Sequence, residues 1–260
     1  MSALTDLRKK IAVEVGTFPW MIGVIWSNYY VSDFMTPIVI FEVFLFIYNN
    51  VVNLLPLQLH ARIYVWLNLT VLLLVWFWAR KSLNLSASDI GFTKKNLGKS
   101  LLYGLGVTAV IVLPAFALRQ LLPALGITGA IIRLEGFSGA ELWWRVLVRI
   151  PLGTGLFEET LFRGIFYGYL VKHYSTRRAI FRSSLFFTFW HIMPALKVIL
   201  VNFRVTSPMS LIGMWLVGLA GAYVAGLLFA WLRNRTGNIA GCLTAHILIN
   251  DLFLLMICLL

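Results

Sequence analysis

The chain reads as a succession of apolar runs, each close to twenty residues long, and several stretches of that length carry no charge at all. An α-helix needs about that length to cross the ~30 Å hydrocarbon core of a bilayer at ~1.5 Å per residue. Windows of this size give seven segments, at 36–57, 63–79, 100–122, 152–171, 183–201, 209–232 and 238–258. An eighth, 12–32, is weaker because it contains Glu14, Pro19 and Asn28. Only 12% of the residues are charged, against ~25% in soluble domains. A soluble enzyme, a disordered chain and a disulfide-stapled secreted domain are thereby excluded. The predicted fold is all-α: a polytopic membrane helix bundle of seven to eight transmembrane helices, forming one membrane domain over residues 1–260.

Most of the charge is topological. Lys and Arg number 22 against 10 Asp and Glu, a net charge of +12. The connection 80–99 carries Arg80, Lys81, Lys94, Lys95 and Lys99; 172–182 carries Lys172, Arg177, Arg178 and Arg182; 233–237 carries Arg233 and Arg235. Alternating spans put all three on one side, which the positive-inside rule makes cytoplasmic. The basic balance therefore reflects the lipid bilayer and not nucleic acid, and the chain is read as a multi-pass protein of the plasma membrane. Arg8, Lys9 and Lys10 join the cytoplasmic side only if 12–32 does not span. The stretch 139–150 places Glu141, Arg145 and Arg149 on one helical face beside Trp143 and Trp144. It is predicted to be an interfacial helix leading into the next span, with Pro151 at the join. Cys242 and Cys258 have no metal-ligand spacing and read as packing residues.

A few ionisable groups lie inside the apolar runs, where each costs ~2.5–3.5 kcal/mol on insertion scales. Segment 152–171 contains Glu158, Glu159 and Arg163. Glu159 and Arg163 are four apart and can pair, whereas Glu158 is turned away without a partner on its own helix. His191 lies in the next segment; His246 and Asn250 share a face of the last. Measured from the basic ends at ideal helical rise, Arg163, His191 and His246 sit roughly 14 Å deep, and the two glutamates roughly 18–21 Å. A single polar layer of this kind implies one buried site.

These residues carry a resemblance. The string Glu158-Glu159-Thr160-Leu161-Phe162-Arg163, the pair Phe187 and His191, and the pair His246 and Asn250 stand in the order EExxxR, FxxxH, HxxxN. The chain thus resembles the CPBP family of intramembrane proteases, also called Abi, which includes the type II CAAX prenyl endopeptidases. Residues 89–99, DIGFTKKNLGK, add to the likeness, which covers about 85–260 as a catalytic core. Residues 1–80 match only in being apolar. The resemblance implies an intramembrane endopeptidase in which Glu158 activates water. His191 and His246 would bind that water or a metal and steady the oxyanion, and Asn250 would donate to it. Glu159 and Arg163 would be supporting residues.

The residue chemistry is compatible. Peptide hydrolysis needs an activated water, oxyanion donors and an acid for the leaving amine. Glu158, His191 and His246 could equally be three ligands of a divalent metal such as zinc with an open fourth position, although no HExxH string is present. The implied partner is a membrane-associated peptide or protein substrate. Two other functions fit the same composition. One is a non-catalytic peptide-binding or bacteriocin-immunity protein. The other is a proton-coupled transporter, for which Glu42 would be a further intramembrane charge but for which no paired repeat is visible.

Overall fold

The computed structural model describes residues 36–125, 138–202, 205 and 207–259. The 12–32 segment and the basic residues Arg8, Lys9, Lys10, Arg133 and Arg204 lie outside them. Among the described residues every regular element is helical. The elements are α1 (Thr36–Leu54), α2 (Leu57–Ser82), α3 (Leu97–Ala124), a composite α4, α5 (Thr176–Trp190), α6 (Ile192–Asn202), α7 (Pro208–Thr236) and α8 (Ala240–Leu259). The chain divides into two units, Met1–Phe44 and Leu45–Leu260. The described part of the first is only the opening of α1; the second holds the rest of α1 and all the other helices.

Five helices among the described residues, α1, α2, α3, α7 and α8, are long and apolar enough to cross a membrane; α5 and α6 together make a sixth, bent by 40°. The expectation of seven to eight goes beyond this count. Segment 12–32 is outside the described residues, and 152–171 belongs to a helix interrupted by wider turns. The outer faces of the long helices are apolar and exposed, with Val110 at 74% and Val217 at 73%. Such surfaces suit lipid as the surrounding solvent.

Two predicted boundaries are corrected. Pro151 marks no break between 139–150 and the segment that follows. α4 is one unbroken run of successive segments, Gly139–Trp144, Arg145–Leu156, Phe157–Glu159, Thr160–Phe166 and Tyr167–His173, of which the second and fourth are π-helical. Pro151 sits inside the first π stretch, where a helix can absorb a missing N–H by widening its turn. The segment 183–201 is not one straight span either. It breaks at His191, which lies between α5 and α6 with φ −85° and ψ 0°. Pro194 causes the break, because it offers no N–H to the carbonyl of Trp190 four residues back. That carbonyl accepts instead from the Asn49 amide of α1. Across the bend, Trp215 Nε1 of α7 donates to the Ile192 carbonyl at 2.9 Å.

α4 is the axis of the bundle, and every residue from Phe157 to Leu170 is buried. A helix apolar on all sides is satisfied only when others wrap it. Small residues allow the wrapping helices to approach closely. A Cβ on Gly241 of α8 would collide with the Ser100 carbonyl oxygen of α3, and one on Gly104 would lie 2.5 Å from the Gly241 oxygen. The DIGF stretch is held against α4 in the same way, since a Cβ on Gly168 would meet the Asp89 oxygen at 2.6 Å. Arg233 of α7 clamps that seam, donating from Nη2 to the Asp89 carbonyl at 2.8 Å and from Nε to the Arg163 carbonyl at 3.2 Å. α7 itself starts with a Ser207–Ser210 capping box and ends at Gly237 in the left-handed conformation with φ 67°.

Candidate active site

Glu158 and Glu159 occupy the short α-helical turn between the two π stretches of α4, and both are buried. Their neighbours come from three helices. α5 brings Phe187, Trp190 and, at its broken end, His191. α7 brings Gly226 and Phe229, and α8 brings His246.

Glu159 and Arg163 pair at 3.1 Å with no solvent exposure on either side chain. The remaining groups of this buried pair are held only in part, since among the described residues Glu159 Oε2 and Arg163 Nε have no hydrogen-bond partner. The guanidinium reaches the Gly226 carbonyl at 3.4 Å, and its Cζ lies 4.0 Å from the centroid of Phe187 and 5.2 Å from that of Phe229. Cation–π contact with these rings, and with Phe162 at 5.9 Å, offsets part of the lost hydration. The same Glu159 Oε1 accepts from His246 Nδ1 at 2.7 Å, and the His246 ring stacks on Phe229 at 5.4 Å. Glu159 therefore does more than hold α4 in register: it fixes the ring of His246.

Glu158 finds its partners on other helices. Its Oε1 accepts from Trp190 Nε1 at 3.1 Å. Its Oε2 is buried and has no hydrogen-bond partner, and it faces His191 Nε2 at 3.8 Å and His246 Nε2 at 4.0 Å. His191 Nδ1 is tied to the Phe187 carbonyl at 2.8 Å. A carbonyl only accepts, so Nδ1 carries the hydrogen and Nε2 presents a lone pair; the carboxylate of Glu159 imposes the same tautomer on a neutral His246. Three acceptors, one carboxylate oxygen and two imidazole nitrogens, thus surround one point.

Five of the six sequence-predicted residues, Glu158, Glu159, Arg163, His191 and His246, are brought together. Asn250 lies one turn beyond His246 on α8, half-buried, and makes no hydrogen bond to the other five. Among the described residues no group of three or more His, Cys, Asp or Glu side chains is arranged to hold a metal ion. Two contributors were not singled out from sequence. Trp190 had a signal, its place beside His191. Phe229 had none, being one aromatic among many on an apolar helix.

Residues 140–252 match the family model of Rce1-like type II CAAX prenyl endopeptidases. The match agrees with the CPBP resemblance and contains all six residues, although it begins later in the chain than the expected 85 and leaves out α3. No curated protein and no solved structure matches the chain. The Rce1-like stretch starts in the first turn of α4 and closes two residues past Asn250 in α8, so it coincides with the helices that build the site.

Proposed function

We propose that this chain is an intramembrane endopeptidase that cleaves a membrane-associated peptide or protein, with Glu158 as the group that activates water. One observation carries the reading: Glu158 Oε2 is buried, unpartnered and flanked at 3.8 and 4.0 Å by two imidazole Nε2 atoms whose Nδ1 atoms are tied back. These separations are too long for direct hydrogen bonds and suit a single water bridging the three groups.

Such a water donates one hydrogen to Glu158 Oε2 and the other to an imidazole Nε2, which leaves an oxygen lone pair for attack. As the new C–O bond forms, the proton passes to Glu158. The carbonyl oxygen becomes the oxyanion, and the Asn250 amide, on the same face of α8 as His246, is its donor in this reading. His246 turns into an oxyanion donor only by taking a proton on Nε2, and Glu159 supplies its orientation and counter-charge. When the C–N bond breaks, the carboxyl of Glu158 returns its proton to the amine. Water and peptide are consumed, and an acid and an amine result. Trp190 holds the spare oxygen of Glu158, so Oε2 remains the reactive one.

The supporting partners are a bilayer and a substrate whose scissile bond reaches the depth of α4. The test compares the new peptide termini in membranes holding the wild-type chain with those holding Glu158→Gln. Termini present only with the wild type support the reading; identical sets of termini overturn it.

A further inference from the structure

A groove of about 290 Å³ runs between α3 and α7 on the outer face of the bundle. Tyr103, Gly106, Val107 and Val110 of α3 and Leu228 and Trp231 of α7 line it, and none of them belongs to the candidate active site. Gly106 keeps the floor low, since a Cβ there would meet nothing within 4 Å. Leu102 and Val110 on its rim are exposed. Beneath the groove, Tyr103, Val107 and Leu228 pack on the buried cluster of Phe229, Leu232, Cys242 and Ala245. The core therefore fixes its shape, and the groove is ready-made for an apolar chain.

One end of the groove is walled by aromatic rings and crowned by charge. Tyr103 and Trp231 stack with centroids 6.2 Å apart and planes 7° from parallel; Tyr and Trp suit the headgroup level of a bilayer. Lys99, one turn before Tyr103, holds its Nζ 5.6 Å from the centroid of that ring. Arg235, one turn after Trp231, shares its face of α7. The Asn96 amide donates to the Thr236 carbonyl at 2.9 Å, which ties the start of α3 to the end of α7, so both cations flank the same end. Both are exposed, and among the described residues neither has a carboxylate within ion-pair distance.

The geometry points to one occupant, an anionic phospholipid with an acyl chain along the groove and its phosphate between Lys99 and Arg235. Lys99 precedes Ile111, at the far end of the groove, by twelve residues, roughly 18 Å at ideal rise. One leaflet measures ~15 Å of hydrocarbon and ~20–22 Å with its headgroups, so chain and phosphate both find their level. The phosphate supplies the negative charge that the two cations lack, and Lys and Arg near the surface attract anionic lipid. A second copy of this chain fits the groove worse. Two copies in one membrane meet about an axis along its normal, which sets Lys99 and Arg235 against their own like charges. The inference stands apart from the endopeptidase reading.

The experiment places the full chain in phosphatidylcholine vesicles with a trace of phosphatidylglycerol that carries a photoactivatable diazirine at mid-chain. A parallel sample holds phosphatidylcholine with the same chain, and labelled peptides are located by mass spectrometry after illumination. The phosphatidylglycerol probe is expected to label 102–111 and 228–231 about 10–30-fold above the phosphatidylcholine probe, as two cations near one phosphate require. Lys99→Gln combined with Arg235→Gln should bring that ratio to one, while Lys81→Gln, exposed and outside the groove, keeps it. Gly106→Leu fills the floor and should remove the groove label while melting no lower than the wild type, because its Cβ meets no neighbour. Should it melt lower, the charge variants decide. Equal groove label from both probes in the wild type overturns the inference, and so does a ratio that survives the double substitution. Label spread evenly over the exposed faces of α2, α3 and α7, the mark of unselective annular lipid, overturns it too. A groove that stays unlabelled because a second copy covers it, detected by cross-linking between copies, is equally fatal.

Discussion

Replacing Glu159 by Gln probes the link between the buried ion pair and the histidine. Both hydrogen bonds that reach this side chain, from Arg163 Nη1 at 3.1 Å and from His246 Nδ1 at 2.7 Å, end on Oε1. Gln keeps one oxygen and can retain both contacts, but it loses the charge. Arg163, with no exposed side-chain surface, is then an uncompensated buried cation, and breaking such a pair costs about 3–5 kcal/mol. The retained hydrogen bonds place the variant near the lower end, about 3 kcal/mol, or a fall in melting temperature of roughly 6–12 °C at ~2–4 °C per kcal/mol. Glu159→Ala loses the oxygen as well and should fall further. The catalytic effect is separate: an amide can also present its N–H to His246 Nδ1 and so reverse the tautomer that points a lone pair at Glu158. A loss of the correct tautomer can lower kcat by up to ~10⁴ in a triad, so a drop of at least ~10² is expected at temperatures where the variant remains folded. Thermal melting in detergent and single-turnover cleavage on the same sample read the two effects. A variant that melts like the wild type and cleaves at the wild-type rate would refute the reasoning.

Other outcomes rest on the packing. A side chain on Gly241 has no room beside the Ser100 carbonyl oxygen, so Gly241→Ala should destabilise by about 1–3 kcal/mol, whereas Gly221→Ala, with nothing within 4 Å, should melt within a degree or two of the wild type. Asn49→Ala strands the Trp190 carbonyl that Pro194 leaves without a helical donor, a loss of about 1–3 kcal/mol; adding Pro194→Ala restores a backbone N–H and should recover part of it in a double-mutant cycle. In the connection after α2, burial pushes the Asp89 carboxyl up, but the Lys172 and Ser86 donors outweigh it and leave its pKa below the ordinary value. A depressed carboxylate contributes stability above its unfolded pKa, near ~3.9, and loses it as pH falls through the folded value. Melting temperature should therefore drop below about pH 4, and Asp89→Asn should remove a small part of that drop, since the pair is partly exposed.

How much of the molecule was legible in the sequence depended on what kind of interaction set each feature. Apolar run length located α1, α2, α3, α7 and α8, because in lipid the backbone must satisfy itself and length is the main constraint. It missed the first two turns of α2, which starts at Leu57 just after Pro56, since Gln58, His60 and Arg62 lower the local hydropathy. Periodicity paired Glu159 with Arg163, a contact within one helix. It could not pair His246 with Glu159, or Trp190 with Glu158, because those contacts depend on how α5 and α8 rotate against α4. Pro151 and Pro194 look alike in sequence as helix breakers. One is absorbed by a π stretch, and the other bends a span, because only the second leaves a carbonyl that a neighbouring amide is placed to catch. His60 and Arg149 share no motif, and the contact of Arg149 Nη2 with His60 Nδ1 at 3.3 Å appears only when α2 and α4 are packed.

The central claim is that Glu158 takes a proton from water in the step that cuts the peptide, and Glu158→Gln tests it most directly. Gln is isosteric, keeps an oxygen for Trp190 Nε1 and leaves the Glu159–Arg163 pair untouched, but an amide cannot accept the proton. Single-turnover cleavage by the purified variant should fall by about 10²–10⁴, the range for removing a general base, with a melting temperature no lower than that of the wild type. A cleavage rate within tenfold of the wild type, in a variant of wild-type stability, would contradict the account.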